Sequence, residues 1–514
     1  ASNINTPCDV TTAFKNAVAG DTVFFRGGTY IVPQRTIGNW LSGYYNPSNS
    51  GTEGNPIVFM AYPGEVPLFN GTTGGPKDKD GHGYYDFATI FGVNDVQPSG
   101  SNRFQEYIVY DGFSLQADGG TGEARVSLAR GDNGYSGQRG RGIVIKNCIF
   151  NGGTNINPPA SEGGTGDNRE GLFISQLTGV IVSNCIFFNY DHATNSHNTS
   201  AIKTYHSDNV SVENCEIYNS NVGIFYKSNT DDSKIRYNYI HGCHVAVVAT
   251  TYGWWKDQND HSKGYSLFET DNLEIYHNVF SNQEWVNISI ENQDGASTDG
   301  MKIFNNTFYT GNQIGTSLSM GSGKGQEFFN NIIYGLKTNN DVGLLRWYCG
   351  DNKDERVAAG VKVELEVESA DHNQFGDLPS NFLIRFRRPD SSIVSYNSLA
   401  AWQNSNELIN LGHPGEGDLA SNPMFVNASG TMSEVADFAL QENSPCKGAG
   451  RDGADMGADV SKVGITNGYV TSVTKENENE YKADKFSLSQ NYPNPFNPST
   501  TIKFRTPLNS PLYQ

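Results

Sequence analysis

Lysines, a tyrosine, a histidine and a glutamate stand at matching places in a series of short apolar strands of this 514-residue chain. The strands read Leu172 to Ser175, Ile202 to Tyr205, Ile224 to Lys227, Val247 to Thr250, Ile288 to Glu291 and Leu318 to Gly321. Side chains alternate across a strand, so if the first residue of each points inward, the second and fourth point out. The outward set then contains Lys203, Tyr205, Lys227 and, two strands beyond Lys227, Glu291; His206 follows directly. Lys, Tyr and His are proton carriers, and two lysines on neighbouring strands repel each other's charge, which favours a neutral amine able to act as a base. Lys203 or Lys227 as base, Tyr205 or His206 as acid and Arg236 as a carboxylate clamp make a set suited to removing a proton beside a carboxylate. The competing reading is ordinary solvated decoration of a β-face.

Two further groups carry chemistry. Asp231 and Asp232, in the turn "SNTDDSK", offer paired carboxylates for a calcium ion or for glycosidic work, against the simpler role of turn formers. Tyr252, Trp254 and Trp255, in the insertion from Thr251 to Gly264, present rings that could stack on sugars or pack onto their own scaffold.

The element that must position these residues is a repeat. One phrase recurs from Ile143 to Tyr334: an apolar residue, any residue, Asn/His/Tyr, then Cys or Asn, any residue, and Ile or Phe. Its fourth position is Cys148, Cys185, Cys215, Asn238, Asn278, Asn306 and Asn331. Units of roughly 20 to 30 residues, with longer loops inserted in some copies, are solenoid spacing. Each unit holds two or three period-two alternations broken by Asn, Ser, Gly and Asp, with no helical pattern between. Strands stacked rung on rung without crossover helices make an all-β, right-handed parallel β-helix. Identical side chains then lie above one another at roughly 4.8 Å, where an amide can donate to one rung and accept from the next. We read the Asn column as such a ladder and the Cys column as small apolar fillers of the same slot.

Composition agrees. Gly numbers 57, and the formal charge of −19 argues against a nucleic-acid partner, which needs Lys and Arg clusters. No apolar run approaches the roughly 18 to 20 residues of a membrane-spanning helix. Val10 to Val18 has helical spacing and is expected to cap the open end of the solenoid. We place the solenoid domain at 1–459, with a hairpin-like insertion near 351–396, a charged linker at 460–485 and a tail at 486–514. The segments 114–140 and 152–170 read as loops leaving the solenoid, where binding sites are commonly built.

The phrases "AGDTVFFRGGTYIV" and "GTEGNPIVFMAYPGEVPLFNG", with the repeat, resemble the N-terminal part of secreted right-handed β-helix proteins such as the alginate lyase and chondroitinase B family of polysaccharide lyases. That resemblance implies a secreted enzyme cleaving a uronate-containing polysaccharide by β-elimination. The family's metal and base motifs do not line up residue by residue, so none of its catalytic positions is carried over. A glycoside hydrolase on the same scaffold and a non-catalytic, glycan-binding or adhesive surface protein are the rivals. "NPMFVNASG" through "DFALQENSPCKGAGRDGADMGAD" resembles the closing rungs of such proteins. The tail "FSLSQNYPNPFNPSTTIKF" resembles the start of the C-terminal sorting domain recognised by the bacterial type IX secretion machinery, which implies export to the medium or cell surface. The chain opens at Ala1 without a leader, as a mature secreted protein would.

Overall fold

The computed structural model describes residues 7–32, 45–71, 89–96, 102–117, 125–129, 139–152, 170–190, 199–255, 260–263, 265–292, 296–309, 318–335, 345–348, 365–376, 384–387, 392–405, 415–428, 432–465, 487–488 and 504–505. Three parallel sheets wrap around one core. The first runs from Thr22–Phe25 through Val144–Lys146, Lys234–Arg236 and Lys302–Phe304 to Leu365–Asp371; the second runs from Gly28–Val32 to Ile332–Tyr334. The third includes Glu170–Ser175, Ser200–Tyr205, Val222–Lys227, Val245–Trp255 and Val286–Asn292. Each turn of chain visits the first, second and third sheets in that order, so the chain is a parallel β-helix.

The repeated phrase is the corner between the first and second sheets. Its third residue takes a left-handed conformation in copy after copy: Asn147, Asn184, Asn214, Tyr237, His277, Asn305 and Asn330 all have φ between 52° and 56°. Asn and His are enriched there because short polar side chains tolerate that region. The fourth residue turns inward and forms the ladder. Asn278 Oδ1 accepts from the backbone N–H (2.9 Å) and Nδ2 (3.0 Å) of Asn238, while Asn278 donates in the same two ways to Asn306 Oδ1. Asn278 Nδ2 also reaches back to the Ile235 carbonyl at 2.8 Å. Asn306, Asn331 and Asn373 repeat the pattern. Cys148, Cys185 and Cys215 are buried free thiols in the same slot.

Both ends of the core are plugged. The helix Val10–Asn16, capped by Asp9 accepting from the Thr12 N–H, inserts Phe14 against Phe25, Phe59, Tyr45 and Phe91. At the other end, the helix Leu399–Gln403 buries Trp402.

Two boundaries differ from the sequence reading. The stretch near 351–396 is not set apart from the solenoid: Leu365–Asp371 pairs in parallel with Gly323–Phe329, and Ile384–Arg387 pairs in parallel with Leu345–Tyr348, continuing the first and third sheets. Ile384–Arg387 and Ile393–Tyr396 do pair antiparallel, as the expected hairpin. Leu419 bridges Gln374 in parallel, but the described residues of 422–465, expected as closing rungs, do not continue the parallel sheets. This segment runs back along the outside as a strap, its Phe425, Met432, Phe438, Cys446, Met456 and Val463 packing on Tyr239, Val279 and Ile332. Its anchors are the left-handed corner residues: Asn330 Oδ1 accepts from Arg451 N–H, Asn305 donates to the Asp455 carbonyl, Tyr237 accepts from Gly464 N–H and Asn214 donates to the Lys462 carbonyl. Arg451 adds a two-pronged contact to Asp371 (2.7 and 2.6 Å) while stacked 3.8 Å over Phe329. The strap therefore includes Val460–Lys462 and the buried Val463, past the expected start of the linker.

Replacing Asn278 by Leu removes partners from two rungs at a buried corner and should lower unfolding stability by roughly 1 to 3 kcal/mol; an unchanged urea midpoint would contradict the ladder. A chain ending at Ile465 should melt as the full chain does, whereas one ending at Gly450 removes Met456 and Val463 from the cluster over Tyr239, Val279 and Ile332 and should melt several degrees lower. Equal melting of the two truncations would show that residues 451–465 contribute nothing.

Candidate functional site

Register in the third sheet fixes which side chains share a face. Leu172, Ile202, Ile224, Val247 and Ile288 pair in sequence and are fully buried in the main core, so the residues that alternate with them face outward. One outward row is Phe173, Lys203, Phe225, Val248 and Ser289; the next is Ser175, Tyr205, Lys227, Thr250 and Glu291. Lys203 and Lys227 are thus on adjacent strands but in different rows, with Tyr205 directly across from Lys227.

Part of this outer face is dry. Val222, Phe225, Val245, Val248 and Val286 form a buried apolar cluster separate from the main core. Beside it, Lys203 Nζ lies 2.9 Å from Glu170 Oε1, and both side chains are almost fully buried. A buried ammonium needs such a partner, because burying a lone charge is costly. Glu170 was not found from sequence. The two-residue alternation that runs back from Leu172 marks it as inward, yet its contact is with the outward Lys203. The local cause is Gly171, where an added Cβ would meet the Ala201 carbonyl at 2.7 Å, so the strand passes that corner too closely for any side chain.

Lys227 is placed differently. Its Nζ sits 5.7 Å from the centre of the Tyr205 ring and 5.8 Å from that of Phe225, an arrangement that suits a cation. Tyr205, Lys227 and Glu291 are half-buried, and Ser289 Oγ donates to Glu291 Oε1 at 3.2 Å. His206 is buried and edge-on to the rings of Tyr205 and Phe268. Burial, with the nearby Arg139 cation second, pulls its imidazole down to about 4, so it is neutral near pH 7.

Other residues singled out in the sequence stand elsewhere. Arg236 belongs to the first sheet, across a corner from Lys227; its Nε donates to Glu213 Oε2 at 2.7 Å and its guanidinium to the Tyr276 hydroxyl at 3.0 Å. Its engagement there follows from the turn at Ser228–Ser233, which carries the chain from the third sheet to the first. Tyr252, Trp254 and Trp255 lie in the strand Val245–Trp255, which pairs antiparallel with Tyr265–Phe268; their side chains fall outside the described residues. The stretch 114–140, expected as loop, supplies Ser114–Ala117 to the second sheet and Arg125–Ala129 to the third, and Glu170 begins a third-sheet strand; most of the rest of 114–140 and 152–170 lies outside the described residues.

Asp231 and Asp232 serve the corner between the third and first sheets. Asp231 Oδ1 accepts the Asp271 N–H at 3.0 Å, Asp271 Oδ1 accepts the Asp299 N–H at 2.9 Å, and Asp299 Oδ1 accepts the Lys324 N–H at 2.9 Å. Asp232 accepts from Asn272 Nδ2. This is a second column, made of carboxylates. Among the described residues, no group of three His, Cys, Asp or Glu side chains has a metal-holding arrangement. Oδ1 of both Asp231 and Asp232 accepts from an N–H donor, and we derive no step through a calcium ion. Burial raises Asp208 to about 6 against the opposing Arg139 cation, and raises Asp271 to about 7 against the opposing Asp299 N–H, with smaller contributions from neighbouring acids.

No family model and no curated protein matches this chain. Solved structures with a similar fold include a mannuronic acid specific polysaccharide family 6 lyase from human gut microbiota, 13% identical with a TM-score of 0.46 over 83% of this chain and 87% of that one. The pectate lyase Pel9A is 14% identical, TM-score 0.41, over 89% and 92%. A tailspike protein of E. coli bacteriophage HK620 is 11% identical, TM-score 0.48, over 71% and 58%. At these identities the likeness concerns the fold alone.

The carboxylate column makes stability depend on pH. Asp271 holds its proton more tightly folded than unfolded, so its contribution is complete below about pH 4 and is lost as pH rises through about 7. Asp271→Asn keeps an oxygen for the Asp299 N–H and removes the charge. Its melting temperature should match the parent near pH 4 and exceed it increasingly up to pH 8; the opposite trend in thermal scans would refute the strained column.

Proposed function

We propose that this protein acts on polysaccharides and that its activity is eliminative cleavage of an acidic, uronate-containing polymer such as alginate, pectate or a glycosaminoglycan. The observation that carries this is the in-register row of Tyr205, Lys227 and Glu291, half-buried on the outer face of a long regular sheet. A linear polymer matches such a face, because the sheet repeats at roughly 4.8 Å along the solenoid.

The chemistry follows from the placement of each group. A uronate carboxylate paired with the Lys227 ammonium loses the charge that otherwise prevents removal of the hydrogen on the adjacent carbon. A base then takes that proton, the freed electron pair forms a carbon–carbon double bond, the bond to the leaving glycosidic oxygen breaks, and that oxygen takes a proton. Tyr205, one strand from Lys227, is the group best placed to carry a proton at the reacting atoms, and the neutral His206 imidazole adjoins it. Lys203, held by Glu170, supports the apolar floor and orients the row. This assigns Lys227 the carboxylate and not the proton. Glu291 lies two strands from Lys227, roughly 10 Å away, where it accepts hydroxyl hydrogen bonds from the next part of the polymer. The tail at 486–514, where Ser487–Leu488 pairs antiparallel with Phe504–Arg505, is proposed to direct export through the type IX machinery.

Incubation with a panel of acidic and neutral polysaccharides tests the reading. Ultraviolet absorbance of a new unsaturated end should grow with an acidic polymer; new reducing ends without it would mean hydrolysis, and retention without cleavage would mean a binder. Lys227→Ala and Tyr205→Phe should each lower turnover roughly a hundredfold or more without lowering the melting temperature. Parent-level cleavage by both variants would remove this row from the mechanism.

A further inference from the structure

Where the third sheet turns into the first, a cation reaches toward the row that carries Tyr205 and Lys227. The Gly140 N–H donates to the Gln176 carbonyl at 3.2 Å and the Gln176 N–H to the Tyr205 carbonyl at 3.0 Å. Arg139, Gln176 and His206 therefore stand in column on successive turns, one residue beyond the row of Ser175, Tyr205 and Lys227. The Arg139 side chain crosses the intervening turn. Its Nη1 lies 2.8 Å from Asp208 Oδ1, on the turn of His206, yet no N–H is aimed at that oxygen. Its Nε and Nη2 have no partner among the described residues, and the side chain is 20% exposed.

A guanidinium presents its N–H groups in a fork, and a carboxylate is the ligand whose two oxygens fit that fork. Asp208 lies against Nη1 without spanning it, which leaves the edge formed by Nε and Nη2. The polymer proposed above runs across the strands from Glu291 through Lys227 and Tyr205, and the next strand in that direction holds Ser175, which Gln176 follows directly. The guanidinium thus stands beside this path, on the order of 10 Å from Lys227 and on the side away from Glu291. A polymer with carboxylates on successive sugars brings a second one there. We infer that Arg139 binds the carboxylate of a neighbouring uronate in the chain cleaved at Lys227, and that Asp208 competes with that carboxylate for it. The inference rests on the function proposed above and extends it. Arg139 selects for consecutive acidic sugars and takes no part in breaking the bond.

Asp208 faces Arg139 on one side and Asp231 and Asp232 on the other; burial raises it to about 6, with Arg139 opposing. Its competing charge therefore appears as pH rises through about 6. His206, beside Arg139, is neutral above about pH 4. Asp231, whose carboxyl burial also raises, acts on Arg139 as well and is common to every protein compared below.

The experiment measures kcat and KM of the full-length parent, Arg139→Ala, Arg139→Lys and Asp208→Asn near pH 5 and near pH 7.5, on the acidic polymer cleaved in the panel. At the higher pH, KM should rise roughly five- to tenfold in Arg139→Ala and less in Arg139→Lys, which keeps the charge without the fork, and should fall roughly threefold in Asp208→Asn, with kcat unchanged in all three. At the lower pH, parent and Asp208→Asn should have the same KM. The role of Arg139 is overturned, while cleavage at Lys227 stands, if Arg139→Ala shows the parent KM, if Asp208→Asn raises KM as Arg139→Ala does, or if the ratio of parent to Asp208→Asn is the same at both pH values. If the parent protein neither cleaves nor retains any polysaccharide, the proposed function fails and the role of Arg139 fails with it.

Discussion

The stacked rungs from Asn238 to Asn373 depend on one carboxamide each, donating to one neighbour and accepting from the other. Because an amide does both, the column from Asn238 to Asn373 has a direction: each Oδ1 receives N–H groups from the preceding rung. Such a chain must begin with a donor and end with an acceptor. It begins at the Cys215 N–H, which donates to Asn238, and it ends at Asp418, whose Oδ1 accepts from the Asn373 N–H at 2.6 Å and whose Oδ2 accepts from Trp402 Nε1 at 3.0 Å. Burial pushes Asp418 up to about 8, so the ladder's last acceptor is an acid held in the core by its donors. Fixing the corner fixes the rung height, and the rung height fixes the register of the third sheet. Lys227 and Glu291 stand on turns that lead into this ladder, whereas Tyr205 stands on a turn whose corner slot is filled by the Cys185 and Cys215 thiols.

Two of the three corners solve the same problem with different chemistry. Amides serve the buried corner between the first and second sheets, carboxylates serve the corner between the third and first, and the left-handed residues beside the amides leave polar atoms for the strap. The carboxylate column is the least comfortable of these, since adjacent acids repel and are partly desolvated, with Arg139 at 2.8 Å from Asp208 as a compensating cation. Its position immediately beyond Tyr205 and Lys227 makes the edge of the proposed site sensitive to pH through stability as well as through chemistry.

Much of the architecture was legible because a solenoid writes its period into the sequence. Seven copies of one phrase sufficed for the fold class, and strand alternation correctly put Tyr205, Lys203 and Lys227 on one outward face. An eighth copy, Ala370 to Phe375, fits the same phrase and was passed over because the strands around it were read as a local hairpin; its Asn373 continues the ladder. The strap was illegible for a different reason. Its hydrogen-bond anchors include one left-handed corner residue on each of several rungs, so it needs no periodicity of its own. Glu170 was hidden because the alternation breaks at Gly171, and no pattern of period two predicts a carboxylate returning to Lys203. Arg236 was grouped with the lysines by proximity in sequence, but a turn of six residues separates two faces of the prism.

The central claim is that the outer face of the third sheet holds a uronate polymer with its carboxylate at Lys227. The most direct measurement is a crystal structure of the full chain carrying Tyr205→Phe, soaked with an oligosaccharide of the polymer it cleaves. The account predicts a sugar carboxylate within salt-bridge distance of Lys227 Nζ and a glycosidic oxygen beside position 205. Sugar density on the first or second sheet, with the Lys227 face empty, would contradict it.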